Sequence, residues 1–226
     1  MMKRLLIATF AATLTIAANA LDLLPQPGSQ KGQIVFVNNQ SRLPTNELEA
    51  VCRQVEKATK CRAVLGDAAS GQVQIEVVDD ADSPILAAFP EDYRAKVNIR
   101  KLDKNLKGKA LDKFFASRCR KELLRAFCFA CGAGGSQYPD NIMAIGDICD
   151  LDLVEEFIPG DTAYACVARL IKVGVTPIRL VTYAKACKDG WAPAPTNDVQ
   201  KAIWEKVHAL PTAPIKIKPE EKKTEK

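Results

Sequence analysis

An α+β fold is what this chain predicts, on three observations. Short runs rich in β-branched and apolar residues crowd the first hundred positions, one long amphipathic stripe covers residues 109–131, and the chain beyond Met143 reads as helix. Residues 33–37 make a buried strand. Asn46 with Glu49 three positions on reads as a capping box, and Leu48, Val51, Cys52, Val55 and Thr59 then recur at helical spacing to give a covering helix. Residues 72–77 alternate polar and apolar, the pattern of a strand with one wet face. Residues 85–89 form a short strand between Pro84 and Pro90, which places it at an edge, and residues 96–99 form the last strand. The long helix follows, with Leu111, Phe115, Cys119, Leu123 and Phe127 on one stripe and glycines at its end. Residues 151–157 and 162–173 read as two further helices. Thr176-Pro177 opens another that carries Leu180, Tyr183, Ala184 and Cys187, and Asn197 with Gln200 caps the last, with Val199, Ile203, Val207 and Leu210 on its apolar side.

Residues 1–20 have the form of a secretory signal: Lys3-Arg4, an apolar stretch, then Ala18-Asn19-Ala20 as a cleavage site. The expectation is export to a periplasm or the medium. No later apolar run approaches the roughly 20 residues of a membrane span. The net charge of +5 drops once Lys3 and Arg4 leave, and five of the remaining lysines lie in the tail 211–226. What is left is nearly neutral, without the basic face of a nucleic-acid binder. That tail, rich in Lys, Glu and Pro, has the composition of a disordered segment.

The segment from Lys121 to Met143 carries the most specific spacing. Lys121-Glu122, Gly132 and Met143 stand where a pattern K-E-x-x-H-E-x-x-H-x-x-G-x-x-H-C-x-x-x-x-C-x-M has its leading pair, its turn glycine and its methionine. This resembles the archaemetzincins, zinc peptidases with two histidines on one helix face, a glutamate as general base and a third histidine past the glycine. The resemblance covers residues 31–171. It implies a zincin-like domain over residues 21–173, with a mixed, twisted sheet, a long active-site-type helix and a Met-turn at Met143; the helical annex at 174–210 lies outside the resemblance. On the same resemblance the zinc ligands fall on Arg125, Phe129 and Gly135 and the catalytic glutamate on Ala126. The family's second, four-cysteine zinc site falls on Ser136, Asn141, Ala163 and Cys166. None of the first set is a ligand or base, one cysteine remains in the second, and the only histidine is His208. These positions lead to the expectation of no metal, no cofactor and no enzyme activity.

Eight cysteines, Cys52, Cys61, Cys119, Cys128, Cys131, Cys149, Cys166 and Cys187, are disulfide candidates in an exported chain. Cys52 and Cys61 cannot pair along one straight helix, since nine residues span about 13 Å; a break at Thr59-Lys60 would be needed. Cys128 and Cys131 form a C-x-x-C, but at a helix C-terminus, where the dipole opposes the low pKa that thiol exchange requires. Lys121 and Arg125, at i and i+4, could hold an anion; the alternative is pairing with Glu122 or another acid. Two function classes follow. One is an exported non-catalytic module, either binding a peptide, glycan or envelope protein or serving a purely structural role in the envelope. The other is an exported enzyme of another class, either a thiol-disulfide oxidoreductase using Cys128 and Cys131 or a peptidase with an unrecognised site.

Overall fold

A computed structural model describes residues 23–67 and 71–209; the signal at 1–20 and the tail at 211–226 lie outside the described residues. Two compact units divide the chain, one spanning Pro27–Arg179 and the other combining the segments before and after it.

The larger unit is built on five strands. β2 (Ile34–Asn38), β3 (Ala63–Leu65), β4 (Val73–Val78) and β6 (Arg94–Asn98) run parallel, and β5 (Leu86–Phe89) is antiparallel to β6, in the order β3-β2-β4-β6-β5. The sheet is therefore mixed, with β5 at one edge. Period-two alternation sends Ile34, Phe36, Val73, Ile75, Val77, Ala95 and Val97 into the core, where helices α1 (Thr45–Thr59) and α2 (Lys109–Ala130) cover them. Gln74, Glu76 and Lys96 go to the opposite face, and Glu76 pairs there with Lys96 at 3.4 Å.

Helix α1 buries the five residues that its spacing singled out, Leu48, Val51, Cys52, Val55 and Thr59. Its start differs from expectation. The helix begins at Thr45 behind Pro44, with no side-chain cap, and Asn46 instead donates to Glu47. It ends at Thr59 because Lys60 turns left-handed at φ 60, which supplies the chain break between Cys52 and Cys61. Cys61 then leads into β3, a three-residue strand too short for its periodicity to be read.

Helix α2 is the central element. From Cys119 onward Leu123, Leu124, Ala126, Phe127, Cys128 and Ala130 are all fully buried, so the predicted stripe widens into a nearly enclosed helix. Its end is a Schellman turn: Gly132 N–H donates to Phe129 O, Ala133 N–H to Cys128 O, and Gly132 sits at φ 74. The segment expected as helix 151–157 is instead a 3₁₀ turn, Ile148–Asp152, locked by a reciprocal capping box between Asp147 and Asp150. Helix α3 (Gly160–Lys172) closes this part of the core with Ala163, Cys166 and Leu170.

In the smaller unit, β1 (Leu23–Pro25) pairs antiparallel with β7 (Leu180–Thr182), and helices α4 (Tyr183–Lys188) and α5 (Asp198–His208) follow. The single helix expected from Thr176 therefore does not form. Thr176 spends its hydroxyl on Ser29 O and its backbone N–H on Lys31 O, and it is Thr182 that caps α4 by accepting from Lys185 N–H. Asn197 caps α5 as its position implied. His208 stacks on Trp204, with ring centroids 4.3 Å apart.

Candidate functional site

Helix α2 carries a row of cations at 118, 121 and 125, spaced to share one face, and each docks the segment at 142–158. Arg118, 2 % exposed, grips Asp152 with two donors at 2.8 and 2.6 Å and gives its third to the carbonyls of Leu102 and Lys104. Lys121 donates to Leu151 O at 2.6 Å. Burial pulls its ammonium below the ordinary lysine range, with Glu156 and Asp152 pulling it back. Arg125 reaches Glu122 at 3.3 Å and Ile145 O at 3.0 Å and lies over the Phe129 ring at 5.2 Å. Beneath it Glu122 is fully buried; burial pushes its carboxyl up, and Arg125 opposes the shift. The two cations weighed as an anion cradle are thus engaged with carbonyls and with Glu122, the pairing held as the alternative. Arg118, which the sequence reading passed over, makes more bonds than either. Its place in the same i, i+3, i+7 row is the signal that could have found it.

The positions that the resemblance assigns to zinc are brought together in part. Arg125 and Phe129 touch, and fully buried Ala126 lies between them in sequence. A Cβ on Gly135 would stand 3.6 Å from Met143 O, and Ser136 N–H donates to that same carbonyl at 3.2 Å. Gly132, rather than Gly135, holds the left-handed conformation. Met143 is buried in the 3₁₀ turn Ile142–Ala144, which Asn141 caps by accepting from Met143 N–H at 2.8 Å. A guanidinium, a phenyl ring and a glycine offer zinc no lone pair, so these residues do not fit the metal.

The second set does not fit either. Ser136 and Asn141 share a groove of ≈ 580 Å³ with Asp161 and Thr162 at the start of α3. Asn141 Oδ1 is already occupied, Ala163 has no donor, and Cys166 is buried in the core. Among the described residues no three His, Cys, Asp or Glu side chains are grouped to hold a metal.

All eight cysteines are thiols in the structure. Cys128 and Cys131 are buried in the core and pushed well above the thiol range by hydrogen bonds to Cys166 and by burial. An exchange catalyst needs an accessible, readily ionised sulfur, and this C-x-x-C offers neither. Burial likewise raises Cys52 and Cys119 to about 12 and Cys61 to about 11.

On the outer face of the sheet, a groove of ≈ 610 Å³ runs between Asn39, Glu76, Phe89, Arg94 and Lys96. Beside it β5, with the sequence Leu-Ala-Ala-Phe, ends the sheet. No helix of the described residues is long and apolar enough to cross a membrane.

Comparison with solved structures places this architecture. An archaemetzincin from Methanopyrus kandleri superposes with a TM-score of 0.52 at 12 % identity, over 66 % of this chain and 99 % of that one. A zinc-dependent peptidase from Methanocorpusculum labreanum gives 0.48 at 15 % identity, over 60 % of this chain and 100 % of that one. An archaemetzincin from Archaeoglobus fulgidus, solved with malonate, gives 0.45 at 13 % identity, over 59 % and 99 %. No family model and no curated protein matches the sequence. The archaemetzincin-like, zincin-type fold is therefore established. The expectation that the chain is not an enzyme does not stand beside a fold shared with an archaemetzincin. The likeness to an archaemetzincin shows the fold alone, and unfitted zinc positions speak to one metal site and not to catalysis at large.

Proposed function

We propose that the chain is an exported polypeptide-binding protein of the zincin fold, which receives an extended segment along the free edge of β5. The observation that carries this reading is the edge itself. Asn98 N–H donates to Ile85 O at 2.9 Å, and the register pairs Leu86 with Val97 and Ala88 with Ala95. Antiparallel alternation then turns the backbone N–H and C=O of Leu86 and Ala88 away from β6. Among the described residues no strand takes them up. Edge strands are ordinarily guarded by charges, inward lysines or proline within the run. Leu-Ala-Ala-Phe has none of these, and Phe89 is 53 % exposed at its end. The groove beside it, with Phe89 at one side and Glu76, Asp92, Arg94 and Lys96 along it, gives alternate side chains of a guest strand an apolar place and a mixed-charge place to rest. Export is supported by the form of residues 1–20.

The test is a screen of fluorescent extended peptides by anisotropy, with each incubation also analysed by mass spectrometry for cleavage. A binder should lose roughly tenfold in affinity when N-methylated at one alternate position, since each strand bond is worth about a kilocalorie. Ala88→Pro removes one outward N–H without touching the bonds to β6 and should have a similar effect. Equal affinity for the N-methylated peptide and for the proline variant sinks the proposal. Export is checked separately, by mass and N-terminal sequence of the protein recovered from the periplasm or medium.

A further inference from the structure

The tail after α5 contains one run with the pattern of a strand. Ile215-Lys216-Ile217-Lys218 alternates apolar and cationic with period two, β-branched at each apolar step, and Pro214 and Pro219 bound it. The run lies outside the described residues. It is as long as β5, whose four residues end the sheet at Leu86–Phe89.

We propose that β5 receives this run from a second copy of the chain, as an antiparallel strand added to the sheet. The inference rests on the polypeptide-binding reading and names its guest. Register follows from the groups that β5 offers. Leu86 and Ala88 direct N–H and C=O away from β6, so a guest must set its bonding residues opposite these two. Pairing Ile217 with Leu86 and Ile215 with Ala88 does so. It also sets Lys216 opposite Ala87 and Pro214 opposite Phe89, positions that call on no N–H, so the donor that Pro214 lacks is not missed. The two isoleucines then extend the face on which Leu86 and Ala88 pack against the core, and the lysines fall on the outer face. A slip of one residue in either direction would put a lysine opposite Leu86 on the core face, which holds the register in place.

Charge agrees with this pairing. Asp82 before β5 and Glu91 and Asp92 after it are exposed and form no ion pair among the described residues, whereas the run carries two lysines and no acid. The donor is a second copy because the lead is short and stiff. Only residues 209–214 separate α5 from Ile215, and Pro211 and Pro214 favour an extended lead, which carries the run away from its own helix. Each copy then gives one strand and takes one, a head-to-tail contact rather than a two-fold one.

The full chain is followed by sedimentation over a concentration series. The mass of the parent should rise with concentration, and an excess of a synthetic peptide of residues 211–219 should return it to monomer. Ile217→Pro removes a bonding N–H from the donor and should move self-association to concentrations roughly tenfold higher or more. Lys216→Pro, also a proline but at a position that bonds nothing, should leave it unchanged. Ala88→Pro disables the receiver and should act like Ile217→Pro. Mixed together, Ile217→Pro and Ala88→Pro should form a one-to-one pair that grows no further, since one keeps a sound edge and the other a sound donor. Self-association of Ile217→Pro equal to the parent's would mean that edges pair with edges and would overturn the proposal. A parent that stays monomeric, or a mixture that forms no pair, would overturn it too. Running the peptide screen on Ile217→Pro separates this inference from the reading beneath it. N-methyl-sensitive binding of other peptides there, without the one-to-one pair, sinks the donor and leaves the reading standing; no binding by any peptide, that of residues 211–219 included, sinks the reading itself.

Discussion

The two flanks of α2 meet the cost of burial in opposite ways. Toward residues 142–158 the helix presents Arg118, Lys121 and Arg125, and each side chain finds a named carbonyl or carboxylate, with Arg125 Nε the one buried donor among them left without a partner. Toward the apolar core it presents Cys128, Cys131 and Phe127, whose burial is apolar and largely without direction. The first flank fixes where the segment carrying Met143 sits, because hydrogen bonds to charged groups weaken steeply with angle and distance. The second fixes only that the helix is enclosed. A directional flank fails when one partner is removed, whereas an apolar flank tolerates changes that conserve volume.

The largest effect should therefore come from Arg118→Ala. It leaves Asp152 unpaired and two carbonyls without a donor, and should cost about 3–5 kcal/mol by urea unfolding. A loss below about 1 kcal/mol would show that the two flanks do not differ in kind.

Next is the alkaline limb of stability. Cys52 and Cys119, raised to about 12, stay protonated in the folded protein where the unfolded chain has already ionised them. The folded state then binds more protons, so stability is full below the unfolded thiol pKa and falls as pH rises through about 9 toward 12. The slope should be about 1.4 kcal/mol per pH unit for each thiol. Cys119→Ala should remove one thiol's share of it, and an unchanged slope across pH 9–11 would mean that Cys119 is not titrating from a buried site.

Smallest should be Lys121→Met, which keeps most of the stem's volume and removes an ammonium that burial already disfavours. It costs the bond to Leu151 O, and the net change should stay within about 1 kcal/mol. A loss as large as that of Arg118→Ala would mean that the ammonium is the principal tie to the 3₁₀ turn.

Elements with a full period were legible in the sequence. Helix α1 announces itself through five residues at helical spacing, α2 through a stripe of six turns, and the β5 edge through its two prolines. The three-residue strands were not legible: Ala63–Leu65 and Leu180–Thr182 offer barely one alternation, and the second lies within a run that reads as helix. At the site, the spacing from Lys121 to Met143 pointed to the right architecture. The partners of its cations could not be read, since Leu151, Ile145 and Asp152 come within reach only when residues 142–158 fold back on the helix. For the same reason eight cysteines in a row of numbers gave no pairing.

The bare edge at Leu86–Phe89 has a consequence for handling the protein in a tube. A strand that takes a guest polypeptide will also take its own twin, so ligand-free samples should turn turbid or associate at concentrations where liganded samples stay clear. Colloidal behaviour thereby becomes an assay: any peptide that holds a concentrated sample monodisperse is a candidate for the natural guest.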